Sequence, residues 1–207
     1  RLNSLAAEVD GVAVEVEGRE FDQVDQSLST AAAEGPLIGG VNCAGSVMLK
    51  PSHLTTRADF EETIGANLTT AFAVVRASAK QLRKQGGSVV LMSSAAAGIG
   101  LANHEAIGAA KAGVAGLVLS AAATYASRNI RFNAVAPGLV KTELTRRIWS
   151  NEKSAEFSRS MHALGRLGDP KDVASLIVWL LQPENDWVTG QVFGVDGGLG
   201  TIRAMGR

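Results

Sequence analysis

Apolar positions along the chain fall into two kinds of run, short continuous ones and long ones with helical spacing, and the two kinds alternate. Residues 1–9 read as the last turn of a helix. Residues 12–16, VAVEV, follow the turn pair Asp10-Gly11 and read as a β-branched strand. Over 22–34 the apolar positions Val24, Leu28 and Ala32 recur at helical spacing, and 37–42, LIGGVN, predicts a small-residue strand running into Asn42-Cys43-Ala44-Gly45. A long helix is expected over 57–85, with Phe60, Ile64, Leu68, Phe72 and Val75 on one face. Lys80, Arg83 and Lys84 near its end complement the helix dipole, and Gly86-Gly87 stops it.

Residues 88–92, SVVLM, have the apolar continuity of a strand buried on both faces, with Ser93-Ser94 at its C-terminal end. A helix over about 104–127 and a strand over 130–136 ending at Pro137-Gly138 follow. The polar stretch 141–169 holds Trp149, Phe157 and Met161; a helix from Asp169-Pro170 to about Leu181 and a strand near 191–195, before Asp196-Gly197-Gly198, complete the pattern. No internal repeat or low-complexity tract interrupts it.

Strands alternating with helices imply parallel pairing through right-handed crossovers, and so a sheet covered on both faces. The expected class is α/β, a doubly wound parallel sheet forming one domain over 1–207. Ligands of such sheets bind beyond the strand C-terminal ends. Here those ends carry Asn42 to Gly45, Ser93-Ser94 and Pro137-Gly138, so that edge is the candidate site.

Composition narrows the function. Lys+Arg and Asp+Glu both number 20, leaving no field to attract phosphate backbones or anionic membranes, so neither nucleic acid nor a membrane is an expected partner. Cys43, the single cysteine, forms no internal disulfide, and no signal sequence or long uninterrupted apolar run is read, which makes the cytoplasm the expected compartment. His53, His104 and His162 are scattered without ligand spacing, so no metal site is expected.

The order of these segments resembles the short-chain dehydrogenases/reductases, from the first strand to Gly198. Asn42-Cys43-Ala44-Gly45 is similar to the family's Asn-Asn-Ala-Gly turn, and Asn67 falls where the family has its catalytic asparagine. Ser94 matches the catalytic serine, Lys111 the lysine of Tyr-x-x-x-Lys, and 133–142, NAVAPGLVKT, the Pro-Gly segment that wraps the nicotinamide. Gly190-Gln191 and Val195 to Gly198 resemble the closing strand. The resemblance implies a Rossmann-like fold, NAD or NADP as cofactor, and hydride transfer to or from a small alcohol or ketone. It implies cofactor contacts from Glu17, Asn42, Ala44, Gly45, Lys111, Pro137, Gly138, Val140 and Thr142, and catalytic work from Ser94, Lys111 and Asn67. The segment 141–169 corresponds to the family's substrate lid, although simple helix packing accounts equally well for Trp149, Phe157 and Met161.

Two departures stand out. The chain opens at Arg1 without the family's first strand, Gly-rich phosphate turn and second strand, so an upstream βαβ unit of roughly 30–50 residues is expected. Without those strands, the one at 12–16 would lack a neighbour. The second departure is chemical. Four residues before Lys111 stands Ile107, and the sole tyrosine, Tyr125, lies far past the lysine. His104, three residues before Ile107, is the candidate substitute acid, since imidazole titrates near neutrality and i, i+3 positions share a helix face. The alternative is a solvent-facing histidine behind Asn103 as N-cap.

Cys43 reads as a small buried filler and Asp196 as a structural turn residue. Glu17 is as readily a plain loop residue as an adenine contact. On the 104–127 helix, Ala109, Gly113, Gly116 and Ser120 form a small-residue stripe, which with the family's helix interface implies a homodimer or homotetramer. An oxidoreductase with an atypical proton donor is the leading reading; a non-catalytic dinucleotide-binding or scaffold protein, and a partial product without function, are the others.

Overall fold

The computed structural model describes residues 2–203. Four parallel strands, β1 (Gly39–Asn42), β2 (Gly87–Met92), β3 (Ile130–Pro137) and β4 (Val192–Val195), form one sheet in the order β1-β2-β3-β4. Two helices precede it, α1 (Leu2–Glu8) and α2 (Phe21–Glu34). Helices α3 (Arg57–Ile64) and α4 (Thr70–Gln81) link β1 to β2, and α5 (Glu105–Tyr125) links β2 to β3. Short α6 (Arg146–Trp149), α7 (Glu152–Met161) and α8 (Pro170–Leu181) lie between β3 and β4.

Strand alternation decides what each face buries. Val89 and Leu91 of β2, with Phe132 and Ala134 of β3, meet Val75 and Ala79 of α4 and Val114 and Val118 of α5. Val90 and Val135, one residue out of step, meet Val173 and Leu180 of α8 on the other face. Each large side chain fully buried in this way contributes about 1.5–3 kcal/mol relative to exposure. Helix α2 lies outside α4, with Val24 against Ala73 and Ala77. The capping boxes Thr56/Asp59 and Asp169/Asp172 start α3 and α8.

The structure corrects several expectations. Residues 12–16 join no ladder and run as irregular chain, because no strand among the described residues lies beside the free edge of β1. The same open edge leaves Cys43 exposed rather than buried. The helix expected over 57–85 is broken by a five-residue wide turn, Gly65–Thr69, and ends at Gln81, leaving Arg83 and Lys84 in the turn beyond. Phe60 and Phe72 are exposed although the spacing predicts one buried face, while Val75, one turn past Phe72 on α4, is buried; the Phe72 ring turns instead to Phe21 of α2.

The N-cap of α5 is His104, without a side-chain capping bond, and not Asn103. Asn103 takes a left-handed conformation, φ 64°, with its carbonyl accepting from the Lys50 N–H at 2.8 Å. The segment Glu105–Arg128 is in fact long and apolar enough to cross a membrane by composition, with a mean hydropathy of 1.6. In the fold, the residues Val114 and Val118 of that segment cover the sheet.

Candidate active site

Parallel strands put all their C-terminal ends on one edge, and that edge gathers two adjoining groups of side chains. The first is built around the wide turn. A turn closed by an i→i+5 bond, Thr70 N–H to Gly65 O, displaces the following residues from regular helical register. Asn67 sits within it, 1 % exposed. Its amide donates to Thr63 O at 2.9 Å and Ser46 Oγ at 3.1 Å, and its Oδ1 accepts from the Ser46 N–H at 3.3 Å. Asn42 shapes the neighbouring loop: its Oδ1 accepts from the Ala44 N–H at 3.1 Å. Gly45 then passes so close that a Cβ there would lie 2.8 Å from Asn67 Oδ1 and 3.6 Å from Lys111 Nζ. The Gly-containing turn is therefore required by close approach and not by a left-handed φ.

Lys111 projects from α5 into this group and is 8 % exposed. Its Nζ donates to Met92 O at 2.8 Å, and its backbone carbonyl accepts from Ser93 Oγ at 2.9 Å, so α5 is pinned to the end of β2 at both points. Burial brings the Lys111 pKa down from 10.5 to about 8, opposed by its interaction with Cys43. An ammonium has three donors, and Met92 O is the one hydrogen-bond partner found for them among the described residues.

The second group lines a cavity of about 830 Å³ that brings together Ser94, His104, Ile107, Pro137 and Gly138. Phe157, Met161 and Ile148 of α7 and α6 line it on one side, and Val47 and Leu49 of the loop after β1 on another. Ser94 Oγ accepts from the Ala96 N–H at 3.2 Å, capping the short turn Ala95–Ala97, and its own O–H is left to donate. His104 Nδ1 faces Ala102 O at 2.7 Å; a carbonyl only accepts, so Nδ1 carries a proton and Nε2 is the free nitrogen. Ile107, one turn before Lys111 on α5, is 5 % exposed and presents only hydrocarbon to this cavity.

Other residues named from the sequence lie elsewhere. Val140 packs in the core under α8, with Val90 and Val173. Thr142 Oγ1 is engaged with Thr145 Oγ1 at 3.1 Å, and the Thr142 carbonyl accepts from Trp149 Nε1 at 2.8 Å; it is Thr145 that borders the cavity. Glu17 is exposed in the turn before α2, where its carboxylate accepts from the Arg19 N–H at 3.2 Å. Asp196 accepts from the Gly198 and Gly200 N–H groups at 2.9 and 2.8 Å, a turn-building role. Sequence reasoning put Ser93 at this edge without its bond to α5, and it missed Met92 O and His162. A lone histidine after α7 carries no signal until the packing of that helix is known.

Comparison with known proteins identifies the chain's relatives. A family profile described as Enoyl-(Acyl carrier protein) reductase matches residues 1–200. The 3-oxoacyl-[acyl-carrier-protein] reductase of Thermotoga maritima is 35 % identical over 205 residues, covering 96 % of this chain and 82 % of that protein. A chloroplastic tropinone reductase homologue of Arabidopsis thaliana is 32 % identical over 198 residues, covering 95 % of this chain; the chain spans 62 % of that relative's length. Among solved structures, a short-chain type dehydrogenase/reductase from Mycobacterium ulcerans superposes with a TM-score of 0.87 at 29 % identity, over 98 % of this chain and 76 % of that one. ElxO with NADP bound superposes with a TM-score of 0.84 at 30 % identity, over 90 % of this chain and 77 % of that one. These matches, to a chain folded as a parallel sheet with helices on both faces, place it in the short-chain dehydrogenase/reductase family.

Proposed function

We propose that the protein is an NAD- or NADP-dependent oxidoreductase that exchanges a hydride with a small alcohol or ketone. The observation that carries the reading is Lys111, a buried ammonium with donors to spare beside the glycine-opened loop at Gly45. A ribose diol at that place would satisfy those donors, so the residues fit a nicotinamide nucleotide. When bound, the nicotinamide supplies the hydride or accepts it. The chain's own groups do the rest. Ser94 donates its O–H to the substrate oxygen, Asn67 holds the Ser46 loop and the wide turn in place, and Pro137 and Gly138 wall the cavity on the β3 side. Phe157 and Met161 exclude water from above, acting as a substrate lid. His104, with Nε2 free, takes or returns the proton that Ile107 cannot exchange.

The apolar wall at Ile107 favours a second reading, a non-catalytic dinucleotide-binding protein, because general acid–base help is worth about 10²–10⁴-fold in rate. The two separate in one set of measurements on the full natural chain. Fluorescence titration with NADH and NADPH reads binding, and carbonyl-dependent loss of nicotinamide absorbance reads turnover. Turnover that falls at least tenfold in both Ser94→Ala and His104→Ala supports the enzyme. Tight binding with no turnover on any of a panel of small ketones and alcohols supports the binding protein, and unchanged turnover in His104→Ala removes that residue's role.

A further inference from the structure

His162 is buried, 4 % exposed, at the C-terminal end of α7, and no role assigned above uses it. Its imidazole bridges two backbone segments, the end of α7 and the loop after β3. Nδ1 meets Ser158 O at 2.6 Å, and because a carbonyl only accepts, the proton is on Nδ1. Nε2 is then the bare nitrogen, and it accepts from the Leu139 N–H at 3.1 Å. Both ring atoms are thus committed, one to the last turn of the lid helix and the other to the loop after Pro137-Gly138.

The approach is close enough to dictate sequence. A Cβ on Gly138 would fall 2.4 Å from His162 Nε2 and 3.1 Å from the Asp196 Cα, so Gly138 is needed where the ring presses on the loop. Gly197 also lies against His162, with an added Cβ 3.6 Å from its Cδ2, and the Gly197 carbonyl accepts from the Leu164 N–H at 3.0 Å. The ring borders the same cavity as Ser94, Ile107 and Pro137.

We propose that His162 is a positioning residue: it locks the lid helix α7 to the Pro137–Leu139 loop, so that lid and loop form one wall against the nicotinamide end of the bound nucleotide. This deepens the oxidoreductase reading and rests on it. Removing the ring leaves the Leu139 N–H without its acceptor and frees the loop from the lid. The loss should appear only for ligands that reach that wall.

The test compares the full natural chain with His162→Leu and His162→Gln, the glutamine carrying an acceptor oxygen at about the reach of Nε2. Each is titrated with the reduced dinucleotide that the wild type prefers and with the matching ADP-ribose, which lacks the nicotinamide. The expected result is a roughly tenfold weaker dinucleotide in His162→Leu, an ADP-ribose affinity within twofold of wild type, and recovery of most of the loss in His162→Gln. Equal losses for both ligands, or none, would overturn the inference while leaving the oxidoreductase reading in place. A wild type that binds neither dinucleotide sinks the underlying reading, and this inference with it. Should His162→Leu fail to fold, Gly138→Ala drives a methyl into the same contact from the other side, and the same selective loss is expected; an even loss overturns the proposal.

Discussion

Lys111→Met should make the ligand-free protein more stable while weakening its hold on the nucleotide. Burial brings Lys111 from 10.5 to about 8, so keeping its proton at neutral pH costs the folded state about 3 kcal/mol. Methionine fills a similar volume without a charge, but it strands Met92 O, which now accepts from Nζ at 2.8 Å, at a cost of about 1–2 kcal/mol. The net expectation at pH 7 is a gain of about 1–2 kcal/mol, or roughly 2–8 °C in melting temperature. The sign of the pH dependence follows from proton counting. Between about pH 8 and 10.5 the unfolded chain still holds the lysine proton while the folded chain has begun to release it, so wild-type stability rises with pH across that window. The variant has no such group, and its advantage should shrink and then reverse by about pH 10. Urea unfolding of both proteins at pH 7 and pH 10 measures the difference, in which the other titrating groups cancel. A wild-type-minus-variant difference that is the same at both pH values would show that Lys111 is not destabilised by burial, and would remove the main support for a ligand at its spare donors.

Two further outcomes test other parts of the site. In the His104→Ala background, Ile107→Tyr places a phenol on the cavity wall one turn before Lys111, and carbonyl-dependent oxidation of the reduced nucleotide should recover by about 10²–10⁴-fold; a recovery of less than threefold with binding intact would mean that this wall is not where the proton is exchanged. Gly116 lies exposed on α5 with open space around its missing Cβ, so Gly116→Arg should convert a homodimer or homotetramer to a smaller species by light scattering, and an unchanged mass would remove this face of α5 from the interface.

Much of this architecture was legible because its signals are local. Continuous apolar runs at 88–92 and 130–136 became β2 and β3, and the Pro170 start with Asp169 before it became α8. Ser94 and Lys111 were named from the family resemblance, and the fold sets Ser94 just after β2 and Lys111 Nζ on Met92 O at the end of that strand. What failed depends on distant neighbours. Residues 12–16 have strand-forming side chains, but a strand forms only beside a partner, and none lies there among the described residues. The wide turn at Gly65–Thr69 leaves the apolar spacing of the sequence looking helical throughout, so the break could not be read from the pattern, and Phe72 turns to Phe21 of α2, a neighbour distant in sequence. Val140 and Thr142 were named as nucleotide contacts from a string of residues, which does not record that the Val140 side chain packs in the core and that Thr142 Oγ1 meets Thr145 Oγ1. His162 gave no signal at all, since its two partners are backbone atoms, which no side-chain pattern records.

The wide turn also divides its rod into two stretches that answer to different demands. Downstream, α4 has seven inward residues against its neighbours, from Thr70 to Ala79, and replacements there should be tolerated poorly. Upstream, α3 buries only Thr63, so apart from Thr63 and the capping Asp59 its sequence is free to drift with little cost to folding. Since Asn67 hangs between the two, deletion of a single residue from the turn would mend the helix and swing that amide away from Ser46, a lesion of chemistry in a chain that still folds.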